Sequence, residues 1–89
     1  MTPPKATRQK AAHYTSDALS KSVQGCVVIE AVVETDGKVR RYRVARSLEE
    51  SLDVAATDAL QTWEYTPGTL GGTPIPVVVT VEMTFSLRD

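Results

Sequence analysis

Few residues of this 89-residue chain are of a type and spacing that could do chemistry. His13 and Cys26 stand alone as histidine and cysteine, so no His/Cys cluster has metal-ligand spacing. His13 lies in a polar stretch without apolar periodicity, and Cys26 follows Gly25 at the head of an apolar run that reads as a buried strand. No pair of carboxylates flanks an apolar pocket of the kind general acid–base catalysis needs. Gly68 and Gly71-Gly72 do not make a phosphate loop, because no strand precedes them and no lysine-led helix follows. The chain has no asparagine, which removes an acylphosphatase-type mechanism. The expectation is a non-enzymatic domain with no catalytic residue, no metal and no cofactor.

What remains is backbone chemistry. From Val77 to Leu87, Val77, Val79, Val81, Met83, Phe85 and Leu87 alternate with Val78, Thr80, Glu82, Thr84, Ser86 and Arg88. Period-two alternation rich in β-branched residues reads as a strand with one buried face. Its polar face is short-chained and carries one acid before Arg88. A strand edge of that kind is covered, blunted, or used to bind an extended peptide through its free donors and acceptors.

The rest of the chain must supply that strand with a partner. At 42% hydrophobic and 24% charged, with a formal net charge of −1, this is ordinary globular composition for one domain. The charge gives no global attraction to nucleic acid or anionic lipid. A single cysteine excludes an internal disulfide without fixing the redox compartment. No apolar run reaches the roughly 18 residues of a membrane helix, and Met1-Thr2-Pro3-Pro4-Lys5 has no signal-peptide core.

Residues 1–13, with two prolines and four basic positions counting His13, read as a flexible arm or linker remnant, leaving 14–89 as the folded domain. Tyr14 to Val23 has helical spacing, with Thr15 or Ser16 as cap and Gly25 as stop. Cys26 to Glu34 reads as a central strand because it is apolar on both faces. Asp36-Gly37 then signals a hairpin. A two-residue turn pairs Val33 with Arg40, Ala31 with Tyr42, Ile29 with Val44 and Glu30 with Arg43, whereas a three-residue bulged loop puts Glu30 beside Tyr42. The first segregates the apolar residues and pairs opposite charges, and is preferred.

After Ser47 the period changes: Leu52, Ala55, Ala56, Ala59, Leu60 and Trp63 form a helical stripe, with Ser47 and Ser51 competing as caps. Pro67-Gly68 ends that helix, and Pro76 opens the last strand. The fold class is therefore α+β: two helices on one face of a three-stranded antiparallel sheet in α-β-β-α-β order, the last strand pairing with the first and leaving its other edge free.

Gly25, Val27-Val28-Ile29, Asp36-Gly37-Lys38-Val39, Leu52-Asp53 with Ala55-Ala56 and Ala59, the motif Trp63-Glu64-Tyr65-Thr66-Pro67, and the closing Val79–Phe85 stretch together resemble the C-terminal domain of TonB-type periplasmic energy transducers. The resemblance spans Tyr14 to Leu87, and its most specific part is Trp63, Tyr65 and Pro67 ahead of a Gly-containing loop and an alternating strand. Thr15 stands where the family usually has proline, and Leu19 where it often has a basic residue.

The resemblance implies a periplasmic domain of an inner-membrane-anchored bacterial protein, with an anchor and a Pro-rich linker upstream. Pro3-Pro4-Lys5 looks like the end of such a linker. It also implies that the domain recognises the TonB box of an outer-membrane transporter by strand addition, and that the anchor engages inner-membrane motor proteins. The expected partner-binding residues are Val78, Thr80, Glu82, Thr84 and Ser86 on the edge and Tyr14 on the arm. Trp63, Tyr65, Pro67, Gly25 and Gly37 are expected to be structural. The alternative is self-association, a homodimer formed by pairing or exchange of the same strand. Nucleic acid is not expected: Arg40, Arg41 and Arg43 make a basic strand, but the chain has too few exposed aromatics for a stacking platform.

Overall fold

The structure is a computed structural model that describes residues 1–87. In chain order it comprises β1 (Lys5–Arg8), α1 (Ser16–Ser20), β2 (Gly25–Val33), β3 (Val39–Arg46), α2 (Glu50–Leu60), β4 (Glu64–Thr66), β5 (Gly68–Leu70), β6 (Thr73–Ile75) and β7 (Val77–Phe85). Four short strands, β1, β4, β5 and β6, thus add to the α-β-β-α-β order read from the sequence. The main sheet runs β3-β2-β7, all antiparallel; β1 pairs with β4 and β5 with β6 in two small ribbons.

β2 is the central strand and carries apolar residues on both faces. Val27, Ile29, Ala31 and Val33 are buried, while Val28 and Val32 on the opposite face are half-buried. The buried face meets Val81, Met83 and Phe85 from β7, Ala18 from α1, and Leu52, Ala56, Ala59 and Leu60 from α2 in one core. Both helices therefore contribute to the same side of the sheet. The other side faces solvent, which is why β7 alternates so cleanly.

The helices differ from expectation at their ends. The first occupies Ser16–Ser20 rather than Tyr14 to Val23: Thr15 Oγ1 accepts from Ala18 N at 3.2 Å, and Ser22 turns out at φ 54°. The cap of α2 is neither Ser47 nor Ser51 but Glu49, whose carboxylate accepts from Leu52 N at 3.1 Å and from Ser51 Oγ at 2.5 Å. Ser47 instead bonds Asp53, whose other oxygen accepts from Leu48 N at 3.0 Å. The hydrogen bond from Ser51, joined by Leu52 N–H and by Lys21, outweighs burial and holds Glu49 below the ordinary carboxylate range.

The β2–β3 hairpin reconciles both candidate registers. Gly37 N donates to Glu34 O at 2.9 Å, and Gly37 is the loop's one residue at positive φ (82°), so the turn is the three-residue loop and not the two-residue type I′ form. Val33 accordingly pairs with Val39 instead of Arg40. A bulge between Val32 and Val33 then inserts Arg40 and restores the preferred pairs Ala31–Tyr42, Glu30–Arg43 and Ile29–Val44.

Asp36 ties this turn together, accepting from Lys38 N at 3.0 Å and from both terminal nitrogens of Arg40 at 3.1 and 2.7 Å. The Arg40 hydrogen bonds, foremost, lower its pKa from 3.8 to about 2. Between those values the unfolded chain binds more protons than the folded one, so stability falls as pH drops through the window. Chemical denaturation of wild type and Asp36→Asn from pH 5 to about 2 should show a steeper acid loss in the wild type. Parallel curves would remove Asp36 as a source of acid sensitivity.

Candidate functional site

The main sheet has two outer edges of opposite character. β3 is bulged twice against β2, at Arg40 and again at Ala45, and three of its arginines are held by Asp36, Glu34 and Glu30 at 2.7, 2.9 and 2.6 Å. Bulges and charge are the usual means of blunting an edge. β7 has neither. It pairs with β2 through an unbroken register from Gly25–Phe85 to Val33–Val77, and Glu82 is its one charged residue.

The direction of the free backbone groups on β7 follows from the hairpin. Glu34 N donates to Lys38 O, towards β3, so by strand alternation the even residues of β2 face β3 and the odd ones face β7. Odd residues of β7 are therefore bonded to β2, and the N–H and C=O of Val78, Thr80, Glu82 and Thr84 point outward. Pro76 agrees with this phase, since its missing N–H falls on the outward side and costs no ladder bond. The side chains of Val78, Thr80, Glu82 and Thr84 are exposed, while Val81, Met83 and Phe85 are buried. The strand ends at Phe85, so Ser86 lies just past it, and Leu87, expected to be its last inward residue, is exposed with its N–H on Gln24 Oε1 at 3.1 Å. Arg88, read as continuing the polar face, lies outside the described residues.

The segment expected to be a flexible arm is instead the wall beside this edge. β1 pairs with β4, Thr2 bridges to Thr69, and the indole N–H of Trp63 donates to Lys10 O at 2.9 Å. Gln9 to Ala12, Trp63 and the run Glu82 to Phe85 enclose a groove of about 340 Å³. Sequence reasoning missed this wall because Lys5–Arg8 is polar and turns only Ala6 partly inward.

Tyr14 sits at the end of the wall and packs inward. Its ring meets Phe85 edge-on, centroids 5.4 Å apart at 75°, and its hydroxyl donates to Val23 O. It secures the last inward residue of β7 and offers an incoming ligand little free surface. Thr15 caps α1 and bonds Ser51 Oγ at 2.6 Å.

The motif residues hold the corner behind the groove. Trp63 and Tyr65 have ring centroids 6.4 Å apart, burial pushes the Tyr65 phenol up, and Tyr65 N donates to Gly37 O at 3.0 Å. Pro67 is half-buried between β4 and β5. Gly25, at φ 145°, leaves room for Leu48, whose Cδ1 would lie 2.8 Å from an added Cβ. Cys26 Sγ is 3.4 Å from Thr84 Oγ1, and His13 lines a separate cavity beside α2 with Lys10 and Asp58. Among the described residues, no three His, Cys, Asp or Glu side chains are grouped to hold a metal, and no helix is long and apolar enough to cross a membrane.

An α+β domain that presents one regular backbone edge above a shallow groove is built as a protein-interaction module. The model of the family described as the Gram-negative bacterial TonB protein C-terminal matches residues 10–87, and the chain belongs to that family. Its fold is similar to the solution structure of the Pseudomonas aeruginosa TonB C-terminal domain, with a TM-score of 0.80 at 20% identity, covering 100% of this chain and 91% of that one. A comparison with curated protein sequences finds no match. Domains of this family are non-enzymatic, periplasmic in Gram-negative bacteria, and in general bind outer-membrane transporters.

Proposed function

We propose that this domain captures an extended segment of an outer-membrane transporter, the TonB box, by adding it as a fourth strand on the free edge of β7. The observation that carries this reading is the contrast between the two edges: β3 is bulged and charged, whereas β7 is straight, continuous and open. Val78, Thr80, Glu82 and Thr84 act through their outward backbone groups, and their small or slender side chains let a second backbone approach. Upstream of the domain, an inner-membrane anchor coupled to motor proteins would deliver the pull. Force along the strands loads the ladder bonds together, so a short pairing resists extraction.

Four outward residues offer one donor and one acceptor each, worth about 1 kcal/mol net per bond before the peptide's ordering cost is subtracted. Binding in the micromolar range follows, suited to engagement and release. An amide NMR titration with a TonB-box peptide tests the reading, after the mass in solution has been measured. Shifts should concentrate on residues 78–84 and on the Trp63 indole N–H beside the groove. Shifts confined to β3 would overturn it, and a domain already dimeric through β7 would favour self-association instead.

A further inference from the structure

Resting on that reading, we propose that Glu82 selects the captured segment by charge, favouring a lysine or arginine on the solvent face of the added strand. Glu82 is the only charged residue of β7, and its side chain is exposed. Among the described residues it takes part in no ion pair or side-chain hydrogen bond, unlike Glu30 and Glu34, which are held by Arg43 and Arg41. The nearest cation across the sheet is not a partner: Glu82 pairs with Val28, and Arg46 stands beyond Val28 on β3. Lys10 lines the same groove but forms no ion pair with Glu82. A carboxylate in the middle of an otherwise uncharged docking edge is thus left for the incoming strand to satisfy.

The neighbouring rows give the rest of the pattern. A residue directly across from Glu82 shares its face with residues two and four positions further along, which lie beside Thr80 and Val78. Thr80 favours a β-branched neighbour. Val78, 65% exposed beside half-buried Val32, favours an apolar one. From N to C the preferred segment therefore reads basic, any, β-branched, any, apolar if the strand is antiparallel to β7, and the reverse if it is parallel, with the same spacing in both. Residues in between turn to the other face, towards the groove at Trp63 and Ala12, where small or apolar side chains fit.

The test uses three synthetic peptides that carry Lys, Gln or Glu at the basic position of one such sequence, titrated into the domain and into its Glu82→Lys variant while the β7 amides are followed. The Lys peptide should bind the native domain roughly three- to tenfold more tightly than the Glu peptide. The order should reverse with Glu82→Lys, and both preferences should shrink in 1 M salt, where screening acts within about 3 Å. An unchanged order in the variant, with shifts still on residues 78–84, would overturn the role of Glu82 while leaving strand addition in place. Peptides that bind without moving the β7 amides, or fail to bind, would overturn both.

Discussion

Thr80→Pro is expected to weaken binding of an extended peptide by roughly a hundredfold or more while the domain stays folded. The N–H of Thr80 points away from β2, so its loss breaks no bond of the native ladder. Proline is tolerated on an edge when its missing donor faces solvent. For the incoming strand the same change removes a central donor and sets a pyrrolidine ring in its path. The incoming carbonyl left without its donor costs about 1–3 kcal/mol, the clash of the ring adds to it, and each 1.4 kcal/mol is a tenfold change in affinity. Val79→Pro is the control, because Val79 is paired with Ala31 and its N–H faces β2. That variant should lose about 1–3 kcal/mol of folding stability for the unpaired Ala31 carbonyl alone, read as an earlier thermal transition. A folded Thr80→Pro domain that binds normally would sink strand addition at β7; a Val79→Pro domain as stable as wild type would show the phase of the ladder to be the opposite one.

What could be read from the sequence was whatever repeats locally. The alternation of Val77 to Phe85, the two-faced strand from Gly25 to Val33 and the stripe of Leu52, Ala56, Ala59 and Leu60 each declare a buried face, and together they fix the pairing of β7 with β2. The hairpin was legible in its middle, where Glu30 meets Arg43, but not at its turn, because a bulge lets a three-residue loop and the two-residue register coexist. Contacts between distant polar segments left no trace. Pairing of Lys5–Arg8 with Glu64–Thr66 depends on backbone donors that every sequence possesses, and Trp63 reaches the arm through a main-chain oxygen of Lys10. The packing of Tyr14 was hidden for a related reason: Phe85, which meets its ring edge-on, comes from the far end of the chain. Glu49 as a helix cap was hidden because serines are the better caps and two stood nearby.

Gly37→Ala should be the most destabilising small substitution outside the core, since Gly37 is where the hairpin turn and the groove's supporting corner meet. Its φ of 82° already disfavours any side chain, by about 1–2 kcal/mol. A Cβ there would also stand 2.0 Å from Tyr65 O, a backbone atom that cannot swing aside. Relieving that clash means moving β4 and losing the bond from Tyr65 N to Gly37 O, which adds about 1–3 kcal/mol. The combined loss of about 2–5 kcal/mol would lower Tm by roughly 10 °C or more in a domain of this size. Gly72→Ala isolates the contact, for Gly72 has nearly the same φ, 81°, but nothing within 4 Å of an added Cβ. It should cost the dihedral strain alone. Because β4 follows directly on Trp63, displacement at Gly37 should also alter the indole fluorescence and weaken peptide binding in the fraction still folded, whereas Gly72→Ala should leave both unchanged. Equal melting temperatures for the two variants would mean that the turn and the corner are not coupled, and that the groove beside β7 owes its shape to the arm alone.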